Sequence, residues 1–260
     1  MKPTLRILAI GDVVGPNAVT YLAGKLWAFR KEEAIDFVVC NAENAAPGNG
    51  LDKESAERLL AGGCDVLTGG NHSFRRREIF SYYDDSKNVI RPANFPAGTA
   101  GYGSTVVESE GKRILVVNVQ GTVYMEPLAC PFEAVEKILR REEGQYDFAL
   151  LDIHAEATSE KIALAHAFDG RFAAIFGTHT HVPTADTQIL PKGSGYVTDL
   201  GMTGAHDGAL GVKTELVIEK LKTKMPVRFE LSDGKPTADG VIFEIDASSF
   251  KCLSVKRAVL

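Results

Sequence analysis

Cysteine is scarce in this sequence. Only four occur in 260 residues, and no two of them have the C-x-x-C spacing that is common in zinc sites and redox-active pairs. A chain of this length can bury a large apolar core and has little need of covalent cross-links. We therefore expect buried thiols at all four positions, which are Cys40, Cys64, Cys130 and Cys252.

Long apolar runs are also missing. No stretch approaches the roughly 20 consecutive apolar residues needed to cross a bilayer. The N-terminus, Met1-Lys2-Pro3, leads into a short strand-like run without the apolar core of a signal peptide. The sequence therefore predicts a cytoplasmic protein with no membrane partner.

The chain lacks both an excess of positive charge and a recognisable linker. Its net charge is −5, and Arg75-Arg76-Arg77 is its one basic stretch, which does not favour long nucleic acid as a tight partner. A small phosphate compound held through metal ions is compatible with this charge. Because no Pro-, Gly- or Ser-rich segment divides it, the chain is expected to form a single domain over residues 1–260. A homo-oligomer is compatible with the sequence, which leaves the oligomeric state open.

The sequence does contain a regular succession of short apolar runs and amphipathic segments. In the first third, predicted strands at Leu5–Ile10, Phe37–Cys40 and Val66–Thr68 alternate with predicted helices. Such an alternation is typical of a parallel sheet with right-handed crossovers. The helices are expected at Asn17–Arg30, Lys53–Ala61 and Arg75–Tyr82.

The pattern changes after Val89. Two apolar runs on either side of Ser109-Glu110-Gly111 predict a hairpin, the alternation then returns, and strands dominate the last third. A mostly parallel beginning and an antiparallel end indicate an α/β fold of two mixed sheets packed face to face, with helices outside. The remaining predicted strands are Ser104–Glu108, Lys112–Val119, Phe148–Ile153, Phe172–Phe176, Thr187–Leu190, Gly195–Thr198, Glu215–Lys220, Val227–Leu231, Gly240–Ile245 and Cys252–Val259, and the remaining helices are Pro131–Glu142 and Ser159–Phe168.

The segment Gly177-Thr178-His179-Thr180-His181 lies between the apolar run Phe172–Phe176 and Val182-Pro183. Gly and Pro should end the strand there, and the two histidines, two positions apart, should point from the strand end into one site. Two neutral imidazoles aimed at one point can bind a metal ion. An isolated pair of this kind is more often a pair of surface loop histidines, so the prediction depends on the rest of the chain.

Each strand-like run of the predicted parallel region ends in a side chain that can bind a metal. In open α/β folds the carboxyl ends of the strands lie at one edge, so these side chains should share one site. Any one of them alone would more often be a helix cap or a turn residue. The candidates are Asp12, Glu43, Asn44, Asn71, His72, His154, His179 and His181.

This donor set predicts the metal and the chemistry. Carboxylate, amide and imidazole ligands without cysteine suit manganese, iron or zinc. The candidates exceed the needs of one ion, so we expect two, with Glu43 able to bridge them. Two cations about 3.5–4 Å apart would generate a bridging hydroxide near neutral pH and hold the phosphate oxygens for in-line attack. His72, next to Asn71, would protonate the leaving oxygen as a general acid, with a packing role as the alternative.

These residues resemble the signature blocks of the calcineurin-like metallophosphoesterase superfamily, in the order Gly11-Asp12, Gly70-Asn71-His72, His154 and Gly177–His181. The chain more closely resembles the bacterial YmdB-like subfamily, over nearly its whole length. The blocks that carry this closer resemblance are Gly11–Gly15 (GDVVG), Asn41–Ala45 (NAENA), Asp152–Lys161 (DIHAEATSEK), Val182–Asp186 (VPTAD) and Thr198–Gly204 (TDLGMTG).

The resemblance implies a four-layer α/β/β/α sandwich, a dinuclear centre of iron or manganese, and phosphodiesterase activity on small cyclic nucleotides. The 2′,3′-cyclic nucleoside monophosphates are the first expectation, with 3′,5′-cyclic AMP as a further candidate. The superfamily's first block is Asp-x-His, but Val14 stands here in place of that histidine, and Asn44 is the expected replacement. By resemblance, one ion would be held by Asp12, Glu43, Asn44 and His181 and the other by Glu43, Asn71, His154 and His179, with His72 as the proton donor.

The sequence leaves several alternatives open. A metal centre alone does not separate a phosphodiesterase from a phosphomonoesterase acting on nucleotides or phosphoproteins. A metal-containing regulatory protein that binds a phosphorylated ligand, RNA or a protein partner is a rival from another class. Candidate substrate contacts are weaker: Thr203 could line the cleft, and His206, in a loop between glycines, could touch substrate or be solvated.

Overall fold

A computed structural model describes residues 2–260 of the protein and contains two β-sheets. The first sheet consists of β1 (Thr4–Ile10), β2 (Asp12–Val13), β3 (Phe37–Asn41), β4 (Val66–Thr68), β11 (Met202–Ala205), β12 (Pro236–Asp246) and β13 (Cys252–Val259). Its strand order is β2-β11-β12-β1-β3-β4, with β13 paired to β12. Strands β1, β3 and β4 are parallel, whereas β12 runs antiparallel to β1, β11 and β13.

The second sheet has a parallel centre and antiparallel edges. It consists of β5 (Ser104–Ser109), β6 (Lys112–Gln120), β7 (Phe148–His154), β8 (Ala174–Thr178), β9 (Gln188–Ile189) and β10 (Gly195–Val197). The strand order is β5-β6-β7-β8-β10-β9, in which β6, β7, β8 and β10 are parallel. The predicted hairpin is confirmed, because β5 pairs antiparallel with β6.

Five of the six described helices pack on the outer faces of the sheets, whereas the last, Thr214–Thr223, has no buried residue. The six are α1 (Gly15–Glu32), α2 (Lys53–Ala61), α3 (Phe80–Asp85), α4 (Pro131–Arg141), α5 (Thr158–Phe168) and α6 (Thr214–Thr223). Leu22 of α1 and Leu59 of α2 are buried in the core against the first sheet. Ile138 of α4 and Leu164 of α5 are buried in the core against the second.

A third apolar core lies between the sheets. Ile7 and Phe243 from the first sheet belong to the same buried cluster as Leu150 and Phe176 from the second. Alternating side chains of β1 are therefore buried in two different cores, one on each face of the sheet. This explains why the strand is apolar nearly throughout. The layer order is helix, sheet, sheet, helix, and this confirms the predicted four-layer α/β/β/α sandwich.

The helix boundaries follow local sequence signals closely. Helix α2 begins after Asp52, whose side chain accepts a hydrogen bond from Ser55 N at 2.8 Å as an N-cap. Helix α1 begins at Gly15, two residues before the predicted Asn17, because Pro16 fits the first helical turn. The predicted helix at Arg75–Tyr82 is shifted: a 3₁₀ turn at Arg77–Ile79 precedes α3.

Two predicted strands are wrong. Residues of Glu215–Lys220 lie in helix α6, and Val227–Leu231 is not a strand. The short apolar run Leu216–Ile218 resembles a strand, but the surrounding Glu, Leu and Lys residues favour a helix. Strand β11 was not predicted, because Met202–Ala205 is short and contains glycine. Cys130 is exposed, which corrects the expectation of four buried thiols, although all four are free.

The carboxyl ends of the parallel strands in the two sheets meet at one edge. Asn41 Nδ2 at the end of β3 donates to Asp152 Oδ2 near the end of β7 at 3.2 Å, and Gly69 N after β4 donates to Asn118 Oδ1 of β6 at 3.3 Å. Loops from both sheets therefore start at the same place. Within residues 2–260, no helix combines the length and the apolar composition needed to cross a membrane.

Candidate metal centre

Glu43, His154 and His179 converge where the two sheets meet. One potential ligand atom from each lies within 4.8 Å of the others, and Glu43 and His154 are almost completely buried. His154 Nε2 is 3.3 Å from Glu43 Oε1 and 3.1 Å from His179 Nδ1. Asn71 Oδ1 is 2.9 Å from the same His154 nitrogen. Four donors from the ends of β3, β4, β7 and β8 thus surround one point.

The other nitrogen of His154 is held by a buried polar network. His154 Nδ1 is 2.9 Å from Thr178 Oγ1, and that hydroxyl donates to Asp152 Oδ1 at 2.8 Å. Since the Thr178 proton goes to the carboxylate, Thr178 accepts from Nδ1–H. In the neutral imidazole, Nε2 is then the nitrogen without a proton, and it is the one that faces the centre. This arrangement orients an imidazole for metal binding.

Asp12 and His181 form the second part of the site. Asp12 is fully buried, and its Oδ1 is 3.6 Å from His181 Nε2, while its Oδ2 accepts from His179 N at 3.1 Å. Among residues 2–260, Asp12 Oδ1 and His181 Nδ1 are buried atoms without a hydrogen-bond partner. A buried carboxylate oxygen without a donor is costly. A cation bound beside Asp12 Oδ1 would satisfy that oxygen.

The charges of the site favour a positive occupant. Burial acts to raise the pKa of Asp12, but His181 and His154 outweigh it, and the pKa lies below its ordinary value. Burial likewise acts against the charged form of Glu43, yet His154 and His72 hold its pKa well below the ordinary value. Burial acts to lower the pKa of His154, whereas Glu43 and Asp12 raise it to about 9. The donor set therefore fits metal cations, which would take the place of such a proton.

Glu43 also organises the neighbouring Asn44 and His72. Asn44 Nδ2 donates to Glu43 Oε1 at 3.0 Å, and His72 N donates to Glu43 Oε2 at 2.8 Å. His72 Nδ1 is 2.7 Å from Asn44 Oδ1. His72 is only partly buried, so its imidazole lies between the buried carboxylate and solvent.

The backbone around the centre has unusual features. His179 and His181 have positive φ values of 98° and 63°, a conformation that costs free energy for residues with a side chain and persists where the surrounding structure imposes it. A Cβ at Gly70 would lie 2.2 Å from His154 Nε2 and 2.4 Å from Glu43 Oε2. Only glycine fits at this position without moving a proposed ligand.

Comparison with known proteins identifies the family of this chain. A family model described as "YmdB-like protein" matches residues 8–258. The chain belongs to the YmdB-like family. It is 43% identical to the 2′,3′-cyclic-nucleotide 2′-phosphodiesterase of Bacillus subtilis, over 98% of this chain and 97% of that protein.

Solved structures agree with this assignment. A hypothetical protein from Thermus thermophilus has a TM-score of 0.90 and 39% identity, with 98% of the YmdB-like chain and 99% of that chain covered. A protein from Mycoplasma pneumoniae titled a novel phosphatase has a TM-score of 0.93 and 32% identity, with 100% and 94% covered. The fold is therefore shared along the whole chain.

The eight predicted candidates of this YmdB-like protein lie together, but the two substrate candidates do not join them. Thr203 is buried on β11 beside Val13, and its hydroxyl has no hydrogen-bond partner among the described residues. His206 is exposed, and its Nε2 is 3.5 Å from Asp239 Oδ2. Between residues 2 and 260, no side-chain hydrogen bond or ion pair joins Thr203 or His206 to the eight candidates, although Thr203 lies on the strand that pairs with β2, which contains Asp12.

Sequence reasoning missed the supporting residues beneath the YmdB-like site. Asp152 lies two positions before His154 on the same face of β7, so strand parity gave a signal for it. Thr178 directly precedes the more conspicuous His179. Asn41 Nδ2 is 3.0 Å from Gly69 O and 3.3 Å from Thr178 Oγ1, a contact between sheets that the sequence alone does not indicate.

Proposed function

We propose that the protein is a dinuclear metal-dependent phosphodiesterase that hydrolyses small cyclic nucleotides, with 2′,3′-cyclic nucleoside monophosphates as the preferred substrates. The proposal is carried by the convergence of Glu43, His154 and His179 beside the unpartnered Asp12 Oδ1. The named activity of the Bacillus subtilis relative supports the choice of substrate. Iron or manganese is the proposed metal, with zinc also compatible with the donors.

The site residues have distinct proposed roles. When bound, the pair of ions supplies activation of the attacking water and positive charge beside the phosphate oxygens. Glu43 is central among the ligands, because its side chain lies near His154 on one side and Asn44 on the other. The proposed ligands are Asp12, Glu43, Asn44 and His181 for one ion and Glu43, Asn71, His154 and His179 for the other.

His72 is the proposed proton donor. Its Nδ1 faces Asn44 Oδ1 at 2.7 Å and Glu43 Oε1 at 3.3 Å. Nε2 is therefore the nitrogen that remains free to hold a proton toward a substrate in the open part of the site. Delivery of this proton to the departing ribose oxygen would avoid a poorly stabilised alkoxide.

The test is product analysis with purified protein loaded with manganese or iron. We expect 2′,3′-cyclic AMP to be opened to a single monophosphate isomer faster than 3′,5′-cyclic AMP is hydrolysed, with no activity after metal removal. Asp12→Asn should remove activity together with at least one bound ion. Metal-loaded protein that binds the cyclic nucleotide without hydrolysing it would contradict the proposal and favour a regulatory binding protein.

A phosphomonoesterase is the second candidate, because the Mycoplasma pneumoniae structure is titled a phosphatase. The same assay separates the two. A phosphomonoesterase would release inorganic phosphate from AMP or a phosphopeptide, whereas the proposed phosphodiesterase would stop at the monophosphate.

A further inference from the structure

A buried ion pair outside the proposed ligand set supports the turn that carries His179 and His181. We infer that Lys161 and Asp199 are positioning residues, which hold this turn in place and thereby set the metal affinity of the centre. The inference rests on the proposed function, since it concerns the placement of two proposed ligands.

The turn needs an external restraint. Both histidines have left-handed backbone conformations, and residues other than glycine keep such conformations only when their surroundings impose them. Thr180, between the histidines, provides the attachment. Its N–H and its hydroxyl both donate to Asp199 Oδ2, at 3.2 and 2.8 Å.

Two further donors hold the Asp199 carboxylate. Its Oδ2 accepts from Lys161 Nζ of α5 at 2.7 Å, and its Oδ1 accepts from Gly201 N at 2.9 Å. Asp199 and Lys161 are both completely buried. Arg257 Nη2 donates to the backbone carbonyl of Asp199 at 2.6 Å, whereas Lys161 is the cation that contacts its carboxylate. A buried carboxylate depends strongly on such a partner, so Lys161 holds the Asp199 side chain in position.

The side chain of Lys161 passes close to β8, the strand that precedes the histidine turn. A Cβ at Gly177, in β8, would lie 2.7 Å from Lys161 Cδ. The aliphatic part of Lys161 therefore passes directly beside the backbone that leads into His179. Helix α5 is thus connected to the histidine turn through the Lys161 side chain.

Removing either charge should loosen the turn. Lys161→Met leaves Asp199 buried without its cation. In Asp199→Asn, one of the two carboxylate oxygens becomes an NH2 group. This group faces either Lys161 and Thr180 or the N–H of Gly201, and the donors that it faces lose their acceptor. In both variants we expect the metal affinity to fall about 10–100-fold, the range typical for residues that orient metal ligands.

The experiment compares these variants with Arg30→Met. Arg30 Nη1 and Asp65 Oδ2 form a partly buried pair at 2.9 Å between α1 and the start of β4, at the opposite end of that strand from the site. Thermal unfolding of metal-free protein measures stability. Cobalt titration followed by visible absorption, at a temperature well below unfolding, measures affinity. All three variants should unfold at lower temperature, but only Lys161→Met and Asp199→Asn should bind cobalt more weakly.

Further readouts separate positioning from general stability. Saturating metal should restore kcat in Lys161→Met with KM unchanged. If Lys161→Met does not fold, Thr180→Val removes only one hydrogen bond to Asp199 and should still weaken cobalt binding measurably. Variants that lose stability but bind cobalt as tightly as the wild type would overturn the inference. A wild-type chain that takes up no cobalt would instead contradict the proposed function, and the inference with it.

Discussion

At the residue scale, Gly70 limits the volume of the proposed centre. Alanine at this position would place a methyl group 2.2 Å from His154 Nε2, and that imidazole is held by Thr178 and cannot move freely. We predict that Gly70→Ala lowers cobalt affinity by at least about 10-fold. Gly24→Ala is the control, because no atom lies within 4 Å of the added Cβ. It should leave binding unchanged and add up to about 1 kcal/mol of helix stability.

His72 supports a prediction about leaving groups. A general acid matters most when the departing oxygen is a poor leaving group, so His72→Ala should reduce kcat on 2′,3′-cyclic AMP by about 10²–10⁴-fold. Hydrolysis of an activated aryl phosphodiester should fall much less, and bound metal should stay near the wild-type amount. Equal losses on both substrates would remove the proton-donor assignment.

His154 gives the metal-free protein a specific pH dependence. Its pKa is about 9 because Glu43 and Asp12 stabilise the imidazolium against the opposing effect of burial. A raised pKa means that this stabilisation is complete below the ordinary value of 6.5 and is lost as the pH rises through 9. Chemical denaturation of metal-free protein should therefore show a falling free energy of unfolding from about pH 7 to 9. His154→Gln should flatten this slope.

The candidate metal ligands could be predicted from their positions after apolar strands, whereas the residues that hold them in place could not. Asp12, Glu43 and His154 each follow a recognisable apolar strand, and parallel strands end at a shared edge. Asp199 also follows a predicted strand, Gly195–Thr198, but nothing in the sequence pairs it with Lys161. A lysine in a helix is normally solvated. Their pairing depends on how α5 lies over the second sheet, which the sequence does not state.

At the element scale, the cap of α2 allows a stability test independent of metal. Asp52 satisfies the Ser55 N–H at the helix N-terminus. Asp52→Ala should lower the free energy of unfolding by about 1 kcal/mol, within a range of roughly 0.5–2 kcal/mol. Denaturant titration measures this change, and the exposed Lys53→Ala should stay within about 0.5 kcal/mol of the wild type. A loss of cobalt binding in Asp52→Ala would show that the cap affects the site.

The elements around the site were more predictable than those far from it. Strands β1, β3 and β7 are fully buried or nearly so, and continuous apolar runs identify them. Helix α6 has no fully buried residue, so its side chains carry no clear inside-and-outside pattern. The prediction of a strand at Glu215–Lys220 failed for that reason.

At the scale of the whole molecule, the proposed ligands come from both sheets. Bound metal should therefore stabilise the contact between the sheets as well as the loops. Free metal at 100 times its dissociation constant would add about 2.7 kcal/mol to the free energy of unfolding. We predict that chelation lowers the melting temperature by several degrees, measured by scanning calorimetry. His154→Ala should show little of this shift. An unchanged melting temperature after verified metal removal would contradict the proposed centre.

Strand β12 lies inside the first sheet but is made late in the synthesis of the chain. Strand β1 lies between β3, which follows it closely in sequence, and β12, which begins only at Pro236. While the ribosome is still making the chain, one edge of β1 has no neighbour, and the segment carrying Asp12 cannot adopt its final pairing. The protein should therefore acquire its catalytic competence only after β12 has been made, and a nascent chain cut short before residue 236 should bind chaperones and have no activity.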